Sequence, residues 1–393
     1  MKIGIDSRIV TDKSSGVVTY IINLIRELSN FKDLDLYLFC QKKYSNILNP
    51  KNKKNIHFVF ADYDNDLYWE NFLINQNEFG EKINGQKLDL FHSPIGFGVP
   101  QNVTTKLVLT VHDLIALSNT DPISKKQKEQ YVSSLTASVN KADRIVSISK
   151  FTQEELKDKF QQIDKKRLSV TYNGFDKLEN YHDLSKTFSL LAKEMNIKKN
   201  KYISYVGSAT PRKNLLNLVY GFAYYCKKIK NSEIKLVLVS KFDRSLTIIT
   251  LNKIKKVITA SNLRNKIIFS TRYINDREKS VIIKNSLVFI YPSLYEGFGL
   301  PILEAMSLKI PVICSDIPVF KEIYRGNVLF FNPKSPSSIQ KSISEILNSE
   351  IIRKKLSDSG FKYQKKFSWK KMAQEYYGIY KKVIDNRRKK RHN

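Results

Sequence analysis

Two carboxylates, Glu296 and Glu304, stand eight residues apart in the stretch YEGFGLPILEAM, residues 295–306. A buried-strand pattern ends near Pro292, and Pro301 suits the first turn of a helix. The glycines between the carboxylates let backbone amides approach a ligand, and the free N–H groups of a helix start favour polar oxygens. The pattern favours a clasp for a ligand with two polar ends, such as a sugar joined to a nucleotide. The alternative is that Glu304 only complements the helix dipole and Glu296 is a surface acid.

A pair of cations, Arg212 and Lys213, stands at another strand-to-helix junction, in YVGSATPRKNLLNLVYGF. The strand pattern ends at Val206, and a loop with Gly207 and Pro211 follows it. Arginine offers a planar fork and lysine a point charge, so the pair suits a diphosphate. The alternative is a solvated basic pair.

Other polar residues also follow predicted strands. His112 and Asp113 end the pattern KLVLTVHD, where a histidine could bind a substrate hydroxyl, exchange a proton or be structural. His92 has the same setting with weaker support. At the first strand-to-helix junction, Ser15 and Gly16 suit a tight turn near a phosphate or an acceptor.

The elements that must position these residues alternate along the chain. Short apolar runs are separated by helical patterns, which predicts an α/β fold of two doubly wound domains facing each other across a cleft. Ligands of such sheets bind outside the carboxyl ends of the strands. The predicted parts are a first doubly wound domain (1–178), a polar linker (179–200), a second doubly wound domain (201–367) and a C-terminal helix with a basic tail (368–393), expected to pack back towards the first domain.

The composition and the first residues of the sequence indicate the cellular compartment of the protein. The 393 residues are 42 % hydrophobic, enough for large cores. The start MKIGIDSRIV carries charges where a signal peptide would be apolar, and no run reaches the ~18 apolar residues of a spanning helix. We therefore expect a cytoplasmic protein. Cys40, Cys226 and Cys314 lack metal-ligand spacing and are interpreted as reduced and structural.

The net charge of +30 has three candidate explanations: nucleic-acid binding, attraction to an anionic membrane surface, and dispersed solvated lysines. The basic residues are mostly dispersed, and no nucleic-acid-binding motif is present. The exception is the terminal run Arg387, Arg388, Lys389, Lys390 and Arg391, which favours a membrane surface. The acidic cluster Asp62, Asp64 and Asp66 lacks the glycine and closing glutamate of a calcium loop, so no metal site is predicted there.

Taken together, the motifs resemble the retaining nucleotide-sugar glycosyltransferases of family 4, which have the GT-B fold. The resemblance covers almost the whole chain, and its most specific part is the E-x7-E motif EGFGLPILEAM with the following PVICSDIPVFKEI. GSATPRKN is similar to the family's basic phosphate-binding loop, and TVHDL, SISKFTQEEL and VTYNGFD match further landmarks in the family order. The first loop departs from the family pattern, since it lacks the second glycine and the basic residue before Tyr20, so acceptor contacts there stay open.

The resemblance implies that the domain 1–178 binds the acceptor and the domain 201–367 the nucleotide sugar, and it implies roles for the matching residues. Glu304 would bind the ribose, and Glu296 would hold hydroxyls of the donor sugar together with nearby amides. The implied donor-binding set is Gly207, Arg212, Lys213, Glu296, Gly297, Phe298, Gly299, Leu300 and Glu304. The implied catalytic set is His112, Glu296, Arg212 and Lys213. Ser15 and Gly16 would lie by the phosphates or the acceptor.

The resemblance also implies a reaction, the transfer of a sugar from a nucleotide diphosphate sugar to a glycan or lipid-linked glycan in O-antigen, capsule or exopolysaccharide synthesis. GDP-mannose is the expected donor, with UDP- or dTDP-sugars as alternatives; no cofactor or metal is expected. The leaving phosphate would take the acceptor proton, whereas the competing hypothesis makes Glu296 a covalent nucleophile. A basic nucleic-acid-binding protein is the alternative from another class.

Overall fold

The structure is a computed structural model that describes residues 1–12, 15–49, 51–61, 76–175, 184–230, 232–240, 245–270 and 272–391. The side chains of residues 245–246 and 386–391 are not part of this description. Asp62, Asp64 and Asp66, and the side chains of the basic run 387–391, therefore lie outside it.

The chain divides into two units. The first comprises Met1–Leu117, Ile123–Gly174 and Phe367–Asn393, and the second comprises Ser118–Pro122 and Phe175–Lys366. A short segment of the N-terminal half, Ser118–Pro122, thus belongs to the second unit, and the C-terminal helix belongs to the first.

The described residues of the first unit form a parallel sheet of seven strands, in the order β3-β2-β1-β4-β5-β6-β7. The strands are β1 (Lys2–Asp6), β2 (Asp35–Cys40), β3 (Ile56–Phe60), β4 (Leu90–Ser93), β5 (Lys106–Val111), β6 (Arg144–Ser147) and β7 (Leu168–Val170). In register, Ile3 of β1 pairs with Leu36 of β2 and with Leu90 of β4. The apolar runs of the sequence do not predict β7, because its three residues are only half-buried at the sheet edge.

The second unit, over its described residues, contains a parallel sheet of six strands in the order β10-β9-β8-β11-β12-β13. The strands are β8 (Tyr202–Val206), β9 (Lys235–Val239), β10 (Ile267–Phe269), β11 (Val288–Tyr291), β12 (Val312–Ser315) and β13 (Leu329–Phe331). β8, β11 and β12 are buried along their whole length. The predicted α/β architecture is confirmed in both units, since continuous apolar runs are what parallel strands covered on both faces require.

Helices follow most strands, and polar side chains begin several of them. Ser15, Ser149 and Asn275 each accept a backbone N–H of the first turn, which fixes where α1, α5 and α9 start. The helices are α1 (Gly16–Leu28), α2 (Ser45–Leu48), α3 (Gln76–Gly85), α4 (Lys125–Lys141), α5 (Lys150–Lys159), α6 (Leu184–Glu194), α7 (Leu215–Lys228), α8 (Ser245–Ala260), α9 (Asp276–Lys284), α10 (Leu300–Ser307), α11 (Pro318–Tyr324), α12 (Pro336–Asn348), α13 (Glu350–Tyr363) and α14 (Trp369–Arg391).

The last helix, α14, packs into the core of the first unit. Its buried residues Trp369, Tyr376 and Tyr380 join the apolar cluster formed by α1 and by β1 and β2. A side chain on Gly174 would collide with the backbone of Trp369, its Cβ lying 2.3 Å from the nitrogen. The glycine of VTYNGFD therefore allows the close approach with which α14 begins.

The stretch treated as a linker, residues 179–200, contains a helix in the second unit. α6 buries Leu191, and Arg272 joins its Glu194 to Glu278 of α9 at 3.0 and 2.7 Å. The sequence does not predict this helix, because its apolar face is narrow and the surrounding stretch is rich in lysine. In the described part of the chain, no helix is both long and apolar enough to cross a membrane.

Candidate functional site

The loop that follows β8 is held in a tight conformation. A Cβ on Gly207 would lie 2.6 Å from the hydroxyl oxygen of Tyr205, which donates a hydrogen bond to the Ser208 carbonyl at 2.6 Å. A 3₁₀ turn, Pro211–Lys213, follows and ends at Asn214, whose φ of 60° is left-handed. The Asn214 amide donates to two proline carbonyls, at 3.1 and 2.7 Å. The backbone that carries the two cations is therefore fixed from both sides.

The loop that follows β11 ends in a glycine that no other residue replaces easily. Gly299 has a φ of 95° and precedes α10, and its carbonyl accepts the Tyr324 hydroxyl at 3.0 Å. A Cβ on Gly299 would lie 2.6 Å from the Phe320 ring. The predicted helix start is confirmed, with Pro301 in its first turn.

These two loops meet in one cluster of charges. Arg212 lies 3.1 Å from Oε1 of Glu296, and Nζ of Lys213 contacts the same oxygen. Ser293 donates to it as well, at 2.8 Å, and Lys213 also donates to the Tyr291 hydroxyl at 2.7 Å. The side chains of Glu296 and Lys213 are only 11 % and 7 % exposed. The structure thus joins residues that stand more than eighty positions apart in the sequence.

The cluster fixes the charge state of its members. Burial by itself would raise the pKa of Glu296, but the positive charges of Lys213 and Arg212 outweigh it and lower the pKa to about 2. Burial lowers the pKa of Lys213 to about 8; Arg212 adds to the decrease and Glu296 opposes it. At neutral pH Glu296 is therefore a carboxylate that accepts hydrogen bonds and has no proton to give.

Lys213, Arg212 and Ser293 all contact Oε1 of the Glu296 carboxylate. A carboxylate anchored through one oxygen can accept a ligand hydroxyl at the other without losing its fixed position.

Glu304 has a different environment from Glu296. It lies partly buried on α10, and within the described chain no hydrogen bond or ion pair connects its side chain to the charge cluster. Burial raises the pKa of Glu304 to about 7; the charge of Lys279 opposes this and that of Asp276 adds to it. The two glutamates therefore differ widely in proton affinity, and Glu304 titrates near neutrality.

The matches to known families cover both units. The family described as Glycosyltransferase Family 4 matches residues 14–177, and that described as Glycosyl transferases group 1 matches residues 191–363. The chain is a glycosyltransferase with one family 4 domain and one group 1 domain. An uncharacterised glycosyltransferase of Methanocaldococcus jannaschii is 24 % identical over 94 % of this chain and 95 % of its own length. An O-antigen chain mannosyltransferase of Salmonella typhimurium is 27 % identical over 61 % of this chain and 60 % of its own.

The fold of this glycosyltransferase is GT-B, as its solved structural neighbours show. An Anabaena protein solved in complex with UDP and glucose superposes with a TM-score of 0.74 at 15 % identity, over 96 % of this chain and 99 % of the other. At this identity the likeness establishes the fold alone.

In the first unit of the glycosyltransferase, His112 follows β5 and is held by its neighbours. Nε2 lies 2.8 Å from the Pro94 carbonyl, and because a carbonyl only accepts, this nitrogen carries the proton. The ring packs edge-on against Tyr20 with centroids 4.7 Å apart. Burial lowers the pKa of His112, although the Pro94 contact and Asp113 oppose the shift. The imidazole is therefore neutral at pH 7.

The other candidates of the first unit have structural partners. His92 is fully buried, with Nδ1 2.7 Å from the Tyr380 hydroxyl and Nε2 2.8 Å from the Thr110 hydroxyl. This geometry makes His92 a core residue. The Ser15 hydroxyl accepts the Val18 N–H at 3.3 Å, and Gly16 is the first residue of α1, with open space where a Cβ would be.

One neighbour of the charge cluster is absent from the sequence analysis. Asp121, in the short segment of the second unit, accepts the backbone N–H of Arg212 at 2.9 Å, and its other carboxylate oxygen lies 3.2 Å from Arg212 Nε. The two residues are 91 positions apart, and no local motif points to the pair.

Replacing Gly299 by alanine should destabilise the protein more than the same change at Gly326. Both glycines have left-handed φ angles, 95° and 83°, but only at Gly299 does the added Cβ meet another residue. The shared backbone penalty is about 1–2 kcal/mol, and the contact with Phe320 should add about 1–3 kcal/mol. Thermal unfolding of the two variants measures the difference. Equal losses of stability would mean that Phe320 moves aside freely.

Proposed function

We propose that this glycosyltransferase moves a sugar, with mannose from GDP-mannose as the leading candidate, to a glycan or lipid-linked glycan acceptor with retention of configuration. The cluster of Arg212, Lys213 and Glu296 at the carboxyl ends of β8 and β11 is the observation that carries the proposal. The similarity to an O-antigen chain mannosyltransferase favours mannose and surface-polysaccharide synthesis. A UDP- or dTDP-sugar is the alternative donor.

The two cations suit the stabilisation of the leaving group. As the bond between the sugar and the diphosphate breaks, negative charge develops on the phosphate oxygens. Arg212 and Lys213 are already held in place, so they would stabilise this charge with little reorganisation. We propose that the leaving phosphate accepts the acceptor proton on the same face and that transfer needs no metal, because two fixed cations are available for the charge.

Glu296 is better suited to binding the donor sugar than to acting as a nucleophile. Lys213 and Arg212 stabilise the negative charge of the carboxylate and lower its pKa to about 2. A carboxylate stabilised in this way is a weaker nucleophile. The Glu296 carboxylate would accept a sugar hydroxyl, with nearby amides of residues 297–299 as donors to other oxygens. A covalent glycosyl-enzyme trapped on Glu296 would contradict this role.

The net charge of +30 supports a further part of the proposal, reversible binding to the anionic inner face of the cell membrane, where a lipid-linked acceptor would be found. Binding to anionic vesicles should weaken strongly as salt is raised, because salt screens such contacts. Salt-independent binding would contradict the electrostatic account. Salt-sensitive binding to DNA or RNA without any nucleotide-sugar binding would favour the nucleic-acid alternative.

Replacing Arg212 by alanine should lower kcat/KM by about a hundredfold, equivalent to ~3 kcal/mol of lost transition-state stabilisation. A thermal-shift panel of GDP-, UDP- and dTDP-sugars first identifies the donor, and steady-state kinetics then compare the variants. Arg325→Ala is the matched control, since this exposed arginine stands after α11. Unchanged kcat/KM in Arg212→Ala would refute its role, and the absence of any nucleotide-sugar binding would refute the proposed function.

Binding of the nucleotide sugar should weaken as the pH falls from 8 to 6, by up to about tenfold. Ribose hydroxyls donate to a carboxylate, and Glu304, with a pKa of about 7, is ionised above that pH and protonated below it. Glu304→Gln should flatten this profile. Isothermal titration calorimetry on the wild type and on Glu304→Gln separates the effect of Glu304 from that of Lys213. Lys213 has a pKa of about 8 and affects the pH profile of both proteins equally. Parallel profiles in the two proteins would contradict the ribose role of Glu304.

A further inference from the structure

The two cations of the charge cluster are already balanced by two carboxylates. Arg212 pairs with Asp121 and with Glu296, and Lys213 pairs with Glu296. The positive charge that a diphosphate would seek is therefore neutralised. A diphosphate with two further negative charges gains less from a neutral cluster than from free cations, and like charges brought together oppose its binding. The cations would attract a phosphate more strongly if one carboxylate moved away.

The contacts of the two carboxylates differ in strength. Glu296 receives Lys213, Arg212 and Ser293, and its side chain is 11 % exposed. Asp121 is 21 % exposed, and in the described chain both of its hydrogen-bonding or ionic contacts come from Arg212. Separating Asp121 from the cluster breaks its contacts with Arg212 and removes a charge that also acts on Lys213, whereas separating Glu296 leaves the buried lysine without the carboxylate that it contacts.

The contacts of Asp121 with Arg212 are of a kind that a phosphate group could also make. The carboxylate bridges a backbone N–H and a guanidinium N–H of the same residue, which is a contact that two oxygens of one anion can make. The residue before this 3₁₀ turn, Thr210, makes no side-chain hydrogen bond to its N–H groups, so Asp121 is the side chain that satisfies Arg212 N–H.

The segment that carries Asp121 is short and has its own internal contacts. It comprises Ser118–Pro122, between the 3₁₀ turn Ile115–Leu117 and the start of α4. The hydroxyls of Ser118 and Thr120 lie 2.6 Å apart, and Asn119 has a left-handed φ of 57°. Asp121 thus lies on a short connection between two helical elements and not within a helix or strand.

We propose that Asp121 is a replaceable counter-ion of Arg212, which occupies the guanidinium while the site is empty and gives way to the donor diphosphate. This inference rests on the proposed function and adds a residue to it. Asp121 lowers the affinity of the site for nucleoside diphosphates, so that a bound product is released more easily. It also keeps Arg212 oriented through two anionic oxygens, which a phosphate group can replace.

Asp121→Asn tests this directly, because asparagine keeps the shape and the acceptor oxygen but removes the charge. Isothermal titration calorimetry with GDP, UDP and dTDP compares the wild type, Asp121→Asn and Asp358→Asn. Asp358 is an exposed acid of α13, so its variant matches the change in net charge. We expect Asp121→Asn to bind the preferred nucleoside diphosphate about tenfold more tightly, from the loss of one nearby like charge, and Asp358→Asn to match the wild type.

The outcomes separate the two hypotheses. The counter-ion role is overturned if Asp121→Asn binds nucleoside diphosphates as well as the wild type does, or more weakly. Weaker binding at an unchanged melting temperature would make Asp121 a positioning residue for Arg212. An equal gain in Asp358→Asn would assign the effect to net charge and also overturn it. If the wild type binds none of the three nucleotides, the proposed function fails first.

Discussion

The buried ion pair between Glu296 and Lys213 is the interaction on which the arrangement of the second unit's ligand edge depends. A carboxylate and an ammonium group removed from water need each other, and removing one partner of such a pair costs about 3–5 kcal/mol. Lys213 is carried by the loop after β8 and Glu296 by the loop after β11, so the pair ties the two loops together. A backbone hydrogen bond of 2.7 Å from Leu294 to the Arg212 carbonyl adds to the connection. The conformation of either loop therefore constrains the other.

The topology of the sheet explains why this pair forms where it does. β8 is flanked by β9 on one side and by β11 on the other, so the connections leave it in opposite directions. A crevice opens outside the carboxyl ends of the strands at such a reversal, and ligands of open α/β sheets bind there. The first unit has the same reversal between β1 and β4. Chemistry at the second unit's crevice thus follows from strand order as much as from side chains.

The sequence is sufficient to predict what is encoded locally. Continuous apolar runs identify all six strands of the second sheet, and the glycines and Pro301 locate the start of α10. The sequence is insufficient where a property depends on distant residues. The eight-residue spacing of Glu296 and Glu304 gives no sign that their pKa values diverge, to about 2 and about 7. The cations that lower the pKa of Glu296 come from another loop, and burial in the folded unit raises the pKa of Glu304. Asp121 stays hidden for the same reason.

Two histidines with the same local sequence pattern have different environments, because a distant helix encloses one of them. His92 and His112 both stand at the end of a buried strand, yet α14 supplies the Tyr380 hydroxyl that binds His92 and the Tyr376 ring that stacks on it at 5.1 Å. With both nitrogens engaged and burial lowering its pKa to about 3, His92 is neutral and enclosed. His112 donates from one nitrogen to Pro94 and is only half-buried. The contacts of α14 therefore enclose His92, whereas His112 stays partly exposed. Strand patterns in the sequence do not reveal this difference, because it depends on a helix more than 250 residues away.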